Sequence, residues 1–130
     1  MKQQAEITID GLDFSTLEGF YGTIGRAIID PNHPDSGNLD WLNDILSWPC
    51  GDEMVPYTLI WRNSVESQRR LGHTETVRQM EQRKVWQFPF GDTKMVSNIE
   101  AARQGKGPTV FDWLIEIIER NGEYVRLRFE

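Results

Sequence analysis

Two aspartates, Asp40 and Asp44, stand four residues apart in the segment Asn38-Leu39-Asp40-Trp41-Leu42-Asn43-Asp44-Ile45-Leu46-Ser47-Trp48. At about 100° per residue, Asp44 falls about 40° from Asp40, while Ser47 and Asn43 fall about 20° and 60° to its other side. Leu39, Trp41, Leu42, Ile45, Leu46 and Trp48 fill the opposite arc. The spacing predicts an amphipathic helix from Asn38 to Trp48 with a narrow acidic stripe. Carboxylates at i and i+4 are neighbours and repel by about 0.2–0.5 kcal/mol in an isolated helix. Asp40 regains part of this beside the positive helix N-terminus. Such a pair suits a solvated face, a docking surface for a cationic site, a metal site or an acid–base pair. A metal needs further oxygen ligands nearby. An acid–base pair needs a pocket that separates the two pKa values. The sequence supplies neither. The single cysteine, Cys50, has no histidine close in sequence, and His33 and His73 are 40 residues apart, so neither a thiol nucleophile pair nor a metal-ligand spacing is evident.

Charge gives the stripe a context. The chain has 130 residues and a net charge of −6. Residues 1–56 hold 10 acidic and 2 basic side chains, whereas residues 57–130 hold 10 acidic and 12 basic. The N-terminal part should project a negative field that attracts a basic partner and repels phosphate, which argues against direct binding of nucleic acid. No run approaches the roughly 18–20 apolar residues of a membrane helix, and the start of the chain does not read as a signal peptide. One cysteine cannot form a disulfide within the chain, which suits the reducing cytoplasm.

The elements that must position the stripe are legible. Glu6-Ile7-Thr8-Ile9-Asp10 alternates as a short strand. Ser15-Thr16-Leu17-Glu18 reads as a capping box with Ser15 at the N-cap and Glu18 at N3. Leu17, Phe20, Tyr21, Ile24 and Ile28 then recur at helical spacing. Gly19, Gly22 and Gly25 weaken that helix by about 1 kcal/mol each relative to alanine, which predicts close packing there, against a sheet. Residues 31–37 read as a loop. Val55–Trp61 reads as a buried strand, Ser64 as the cap of a helix to Leu71, and Thr74 as the start of another to about Lys84. Thr109 should cap a strong helix to Arg120, ended at Asn121-Gly122. Tyr124–Phe129 alternates as a strand with one wet face, Arg126 and Arg128. Trp86–Pro108 is the least regular stretch. Phe88-Pro89-Phe90-Gly91 cannot be a helix interior, and residues 98–103 suit a short helical turn. Three strands separated by helices predict a single α/β domain over residues 1–130 with a parallel sheet.

Gly37-Asn38-Leu39-Asp40, followed by Leu42, Asp44 and Leu46, resembles the binding-helix signature of barstar-type ribonuclease inhibitors. The strand Tyr57-Thr58-Leu59-Ile60-Trp61-Arg62 is similar to that family's central strand, which also ends in Trp-Arg. The Ile7–Ile9 strand, the helix before Asn121-Gly122 and the closing strand fall in the family's order. The resemblance covers roughly residues 6–84 and 109–129. It implies a three-stranded parallel sheet packed with helices and no catalytic activity. It also implies that the acidic helix and the loop before it plug the active site of a secreted or toxin-type ribonuclease with a basic cleft. Asp40 and Asp44 match the family's two aspartates that stand in for RNA phosphate. Gly37, Asn38, Asn43, Ser47 and Trp48 are the other contact residues it implies. No cofactor or metal is implied, and the chain is expected to be cytoplasmic and monomeric when free.

The sequence also departs from the family pattern. Asn43 stands where the family can carry a tryptophan, a contact that Trp41 or Trp48 can replace. His33 and Pro34 stand where the loop can carry tyrosines. The late acidic contact residue falls on Ile117, beside Glu116. Residues 86–108 read as an insertion. These departures bear on which ribonuclease is recognised more than on the inhibitory class. Two other readings stand beside it: a binding module with the same fold and a non-ribonuclease partner, which would use Phe88–Phe90 instead of the acidic stripe, and an enzyme, which would need a pocket of perturbed titratable groups.

Overall fold

The computed structural model describes residues 5–52, 54–82 and 99–130. The Phe88–Phe90 pair and most of the 86–108 insertion lie outside the described residues. Alternation of polar and apolar residues produces two short strands, β1 (Glu6–Asp10) and β3 (Val125–Phe129), and a buried apolar run produces the third, β2 (Tyr57–Arg62). Helices α1 (Leu17–Ile28), α2 (Leu39–Ile45), α3 (Ser64–Arg70), α4 (His73–Gln82) and α5 (Val110–Arg120) separate them, and residues 99–103 form a further helical turn. The strands form one parallel sheet in the order β1-β2-β3. The molecule is an α/β domain, as the strand–helix alternation predicts.

Register explains why a parallel sheet can carry an alternating sequence. Ile7 and Ile9 align with Leu59 and Trp61 of β2, and Tyr57, Leu59 and Trp61 align with Val125, Leu127 and Phe129. These residues face the helices. Glu6, Thr8, Arg62, Arg126 and Arg128 on the other face are exposed. Parallel sheets are usually covered on both sides and apolar throughout; here the edge strands β1 and β3 alternate, while the central β2 also buries Ile60 on the second face. Trp61 is the centre of the core. It is fully buried, its indole N–H donates to the Ser67 hydroxyl (2.9 Å), and Phe20, Phe111, Phe14 and Phe129 surround its ring.

Three local expectations are corrected. The N-cap of α1 is Thr16, not Ser15: its hydroxyl accepts from the Gly19 N–H (3.0 Å). Glu18 does not reach back to close a capping box. It pairs instead with Arg78 (2.5 Å) and Gln79 (3.0 Å) of α4. Helix α3 begins after Asn63, which adopts a left-handed backbone (φ 54°, ψ 39°), so Ser64 is its first residue and not its cap. The Thr109 cap stands as expected, completed by Asp112 in a reciprocal capping box.

Candidate functional site

Helix α2 is built as the sequence suggests at its start and differs at its end. The Asn38 side chain accepts from the Trp41 N–H (2.8 Å), the N-cap bond that fixes where the helix begins. Asn38 is half-buried, so it sets the helix more than it meets a partner. Leu42, Ile45 and Leu46 are buried, with Leu39 and Trp41 packed against the core beside them. The helix stops at Ile45, one turn short of the predicted Trp48. Pro49 explains this: its ring disfavours a helical Trp48 and removes an N–H, so the chain turns through a 3₁₀ segment, Trp48–Cys50. Trp48 is thereby taken off the apolar face and is 57% exposed. Ser47 is half-buried, its hydroxyl 3.4 Å from the Asp44 carbonyl.

Asp40, Asn43 and Asp44 are exposed on the face opposite the core. Neither aspartate makes an ion pair among the described residues. Gly37 is exposed and leads into the helix. The seven residues expected to form the surface therefore lie on one continuous stretch, but not in equal roles. Asp40, Asn43, Asp44 and Trp48 present side chains to solvent, while Asn38 and Ser47 shape the helix ends. Ile117, the position of the late acidic contact, is 5% exposed and belongs to the core, and Glu116 beside it pairs with Arg120 (2.5 Å).

The loop before α2 is seated on α1, and the glycines of α1 make room for it. A β-carbon at Gly25 would lie 2.7 Å from His33 Cγ, and one at Gly22 would lie 2.8 Å from Asp35 Cγ. The close approach required at Gly22 and Gly25 is thus to this loop and not to the sheet. The Arg26 guanidinium donates to the His33 carbonyl (2.9 Å) and to Asp35 (3.0 Å). The His33 ring stacks on Trp41 with centroids 5.1 Å apart, and Tyr21 meets Trp41 edge to face at 5.8 Å. His33 Nδ1 lies 2.8 Å from the Pro34 carbonyl, an acceptor only, so this nitrogen carries the proton. Trp41 is therefore clamped between the loop and α1, which holds the first turn of α2.

Gly37 is the tightest point of this seat. A β-carbon there would lie 2.7 Å from the Trp41 ring and 3.1 Å from that of Tyr21. Gly37→Val should displace Trp41 and cost about 1–3 kcal/mol of stability, as overpacking does. Thermal unfolding checks this; an unchanged melting temperature would show that α2 does not depend on this seat.

Two contacts were not legible in the sequence. The Asn121 amide nitrogen, just past α5, donates to Asn43 Oδ1 (2.9 Å) and to the Ile117 carbonyl (2.8 Å), tying the outer face of α2 to α5. Asn121 reads from sequence only as a helix terminator. Likewise nothing in the spacing of His33 and Trp41 shows that they stack.

No protein-family model, curated protein or solved structure matches the chain.

Other chemistry-bearing groups sit in structural settings. The Cys50 thiol is buried, donates to the Tyr124 carbonyl (3.2 Å), and burial pushes its pKa up, away from the thiolate form that attacks. Among the described residues no three His, Cys, Asp or Glu side chains are grouped to hold a metal ion. No helix of the described residues is long and apolar enough to cross a membrane. A groove of about 590 Å³ opens beside β1 and α1, lined by Asp10, Asp13, Arg26 and Arg62 among others. The Asp10 carboxyl is held below its usual value by the Leu12 N–H and the Asn63 amide. A carboxylate held ionised by two donors is poorly suited to act as a general acid.

Proposed function

We propose that this chain is a ribonuclease inhibitor or immunity protein of the barstar type, in which α2 and the loop before it plug a basic active site. The observation that carries this reading is the pair Asp40 and Asp44. They are exposed one turn apart on a short helix clamped at its cap, its loop and its packed face, and neither makes an ion pair among the described residues. An isolated surface pair of like charges contributes nothing to folding. A rigid pair presented outward suits a site built to hold phosphate, where two carboxylates can replace the anion. The acidic bias of residues 1–56 supports the same reading, because complementary fields speed encounter. Trp48, exposed at the end of the stripe, adds an aromatic anchor of the type common at binding hot spots. The alternative of a barstar-like module with another partner needs a second surface; Phe88 and Phe90, which suggested one, lie outside the described residues.

The reading is tested by kinetics against a purified ribonuclease. Inhibition should be competitive with RNA, and the association rate should fall as salt is raised. Inhibition that leaves the active site open to substrate, or an association rate indifferent to salt, would contradict it.

A further inference from the structure

We propose that the two edges of the sheet fit one another, so that β1 of one copy of this chain adds in parallel to β3 of a second copy and continues the sheet. The ladder shows which backbone groups are free, because neighbouring residues of a strand turn their N–H and C=O to opposite sides. The Thr58 N–H donates to the Ala5 carbonyl (2.9 Å) and the Gly11 N–H to the Arg62 carbonyl (2.7 Å). Ala5, Ile7, Ile9 and Gly11 therefore face β2, and Glu6, Thr8 and Asp10 turn outward. At the other edge the Tyr57 N–H donates to the Tyr124 carbonyl (3.0 Å) and the Glu130 N–H to the Trp61 carbonyl (2.9 Å). Val125, Leu127 and Phe129 therefore turn outward. Both edges are open. The groove of about 590 Å³ runs beside β1, where the short side chains of Thr23 and Ala27 leave room. A second groove, of about 360 Å³, lies at the end of β3 and is lined by Ser64, Val65, Gln68, Phe111 and Phe129.

Charge decides which edges pair. On the face away from the helices β1 carries Glu6 and Asp10, and β3 carries Arg126 and Arg128. Arg126 is exposed and makes no ion pair among the described residues. Two β3 edges would set arginine against arginine, and two β1 edges would gather four carboxylates, which is unfavourable across strands. A β1 edge against a β3 edge brings opposite charges together. The free groups fix the register. With Ile7 of the incoming β1 beside Leu127, the N–H groups of Leu127 and Phe129 donate to the Glu6 and Thr8 carbonyls. The N–H groups of Thr8 and Asp10 donate in return to the Leu127 and Phe129 carbonyls. None of these groups is engaged elsewhere among the described residues. Glu6 then lies beside Arg126, while Ile7 and Ile9 continue the apolar row of Leu127 and Phe129. Leu12, exposed just past β1, is carried to the end of the sheet where exposed Val65 and Phe129 line the second groove. The contact is head to tail, so each added copy leaves one edge of each kind free and growth is open-ended. The chain is then monomeric only when dilute.

The test is sedimentation velocity of the full chain between about 10 µM and 1 mM, the range of a weak contact. The mean mass should rise with concentration. Arg126→Glu and Glu6→Arg should each weaken association at least about tenfold, since each sets like charges face to face. An equimolar mixture of the two variants should recover it, because each supplies the charge the other has lost. Both side chains are exposed, so the thermal transitions should match that of wild type. In wild type the amide resonances of Thr8, Asp10, Leu127 and Phe129 should shift with concentration. The Asp40→Ala, Asp44→Ala double variant should associate as wild type does, which separates this contact from the inhibitor reading. A monomer at every concentration, association that survives both charge reversals, or association lost in the double variant would overturn the proposal.

Discussion

Asp44→Ala should weaken inhibition of a cognate ribonuclease by two to three orders of magnitude while leaving the fold intact. Truncating one partner of a desolvated charge pair at an interface costs about 2–5 kcal/mol, a range drawn from measured interfaces, those of the barstar family among them. Asp44 is exposed and makes no ion pair among the described residues, so the free protein loses little. Alanine is the better helix former, and its removal of the repulsion with Asp40 is worth about 0.2–0.5 kcal/mol in the free chain. The melting temperature should therefore stay level or rise slightly. Comparable losses of affinity and of folding free energy would show that Asp44 acts through the fold and not at a contact.

The largest loss of stability should come from the other end of α1. Glu75 of α4 is 6% exposed. Its Oε2 accepts from the Leu17 N–H (2.9 Å), the Gln79 amide (3.0 Å) and Arg78 (2.7 Å), while Oε1 accepts from Arg78 Nε (2.7 Å). Leu17 is the first residue of α1, and its N–H has no partner within the helix. Glu75 therefore caps a helix distant in sequence and places a negative charge at its positive end. Glu75→Ala would strand that buried N–H, remove a bond to the Gln79 amide and leave the partly exposed Arg78 with Glu18 alone; hydrogen bonds to a charged group are worth about 1.5–3 kcal/mol each, so the loss should be about 3–5 kcal/mol. For a domain of this size the melting temperature should drop by roughly 10–20 °C. Glu75→Gln, which keeps an acceptor for Leu17, should lie between. Ribonuclease affinity measured well below the transition should be unchanged, since Glu75 does not contact α2. A loss under about 1 kcal/mol would mean that water replaces the carboxylate at little cost.

These two expectations mark where sequence reasoning succeeds and where it stops. The strands, the starts of α2 and α5, and the outward turn of Asp40 and Asp44 follow from periodicity and caps, which are local. The parallel sheet follows from the helices between the strands, even though β1 and β3 alternate as antiparallel strands usually do. The end of α2 was missed although its signal was present: Pro49 outweighs the apolar periodicity that carried the helix to Trp48. Other features had no local signal. Glu18 fits a capping box, but Arg78 and Gln79 of α4 claim it. Glu75 reads as an ordinary polar helix residue, and only the fold brings it to Leu17. Gly22 and Gly25 announce a close approach, yet the partner is the 31–37 loop and not the sheet. The Asn121–Asn43 bond joins residues 78 apart in sequence, and no periodicity spans that distance.

The most direct measurement is a titration of a panel of purified ribonucleases with wild-type protein and, in parallel, with the Asp40→Ala, Asp44→Ala double variant. Wild type should abolish the activity of a cognate enzyme at one equivalent, and the double variant, equally folded by its thermal transition, should leave that activity intact. Equal inhibition by both proteins, or inhibition of no ribonuclease by either, would contradict an acidic helix acting in place of RNA phosphate.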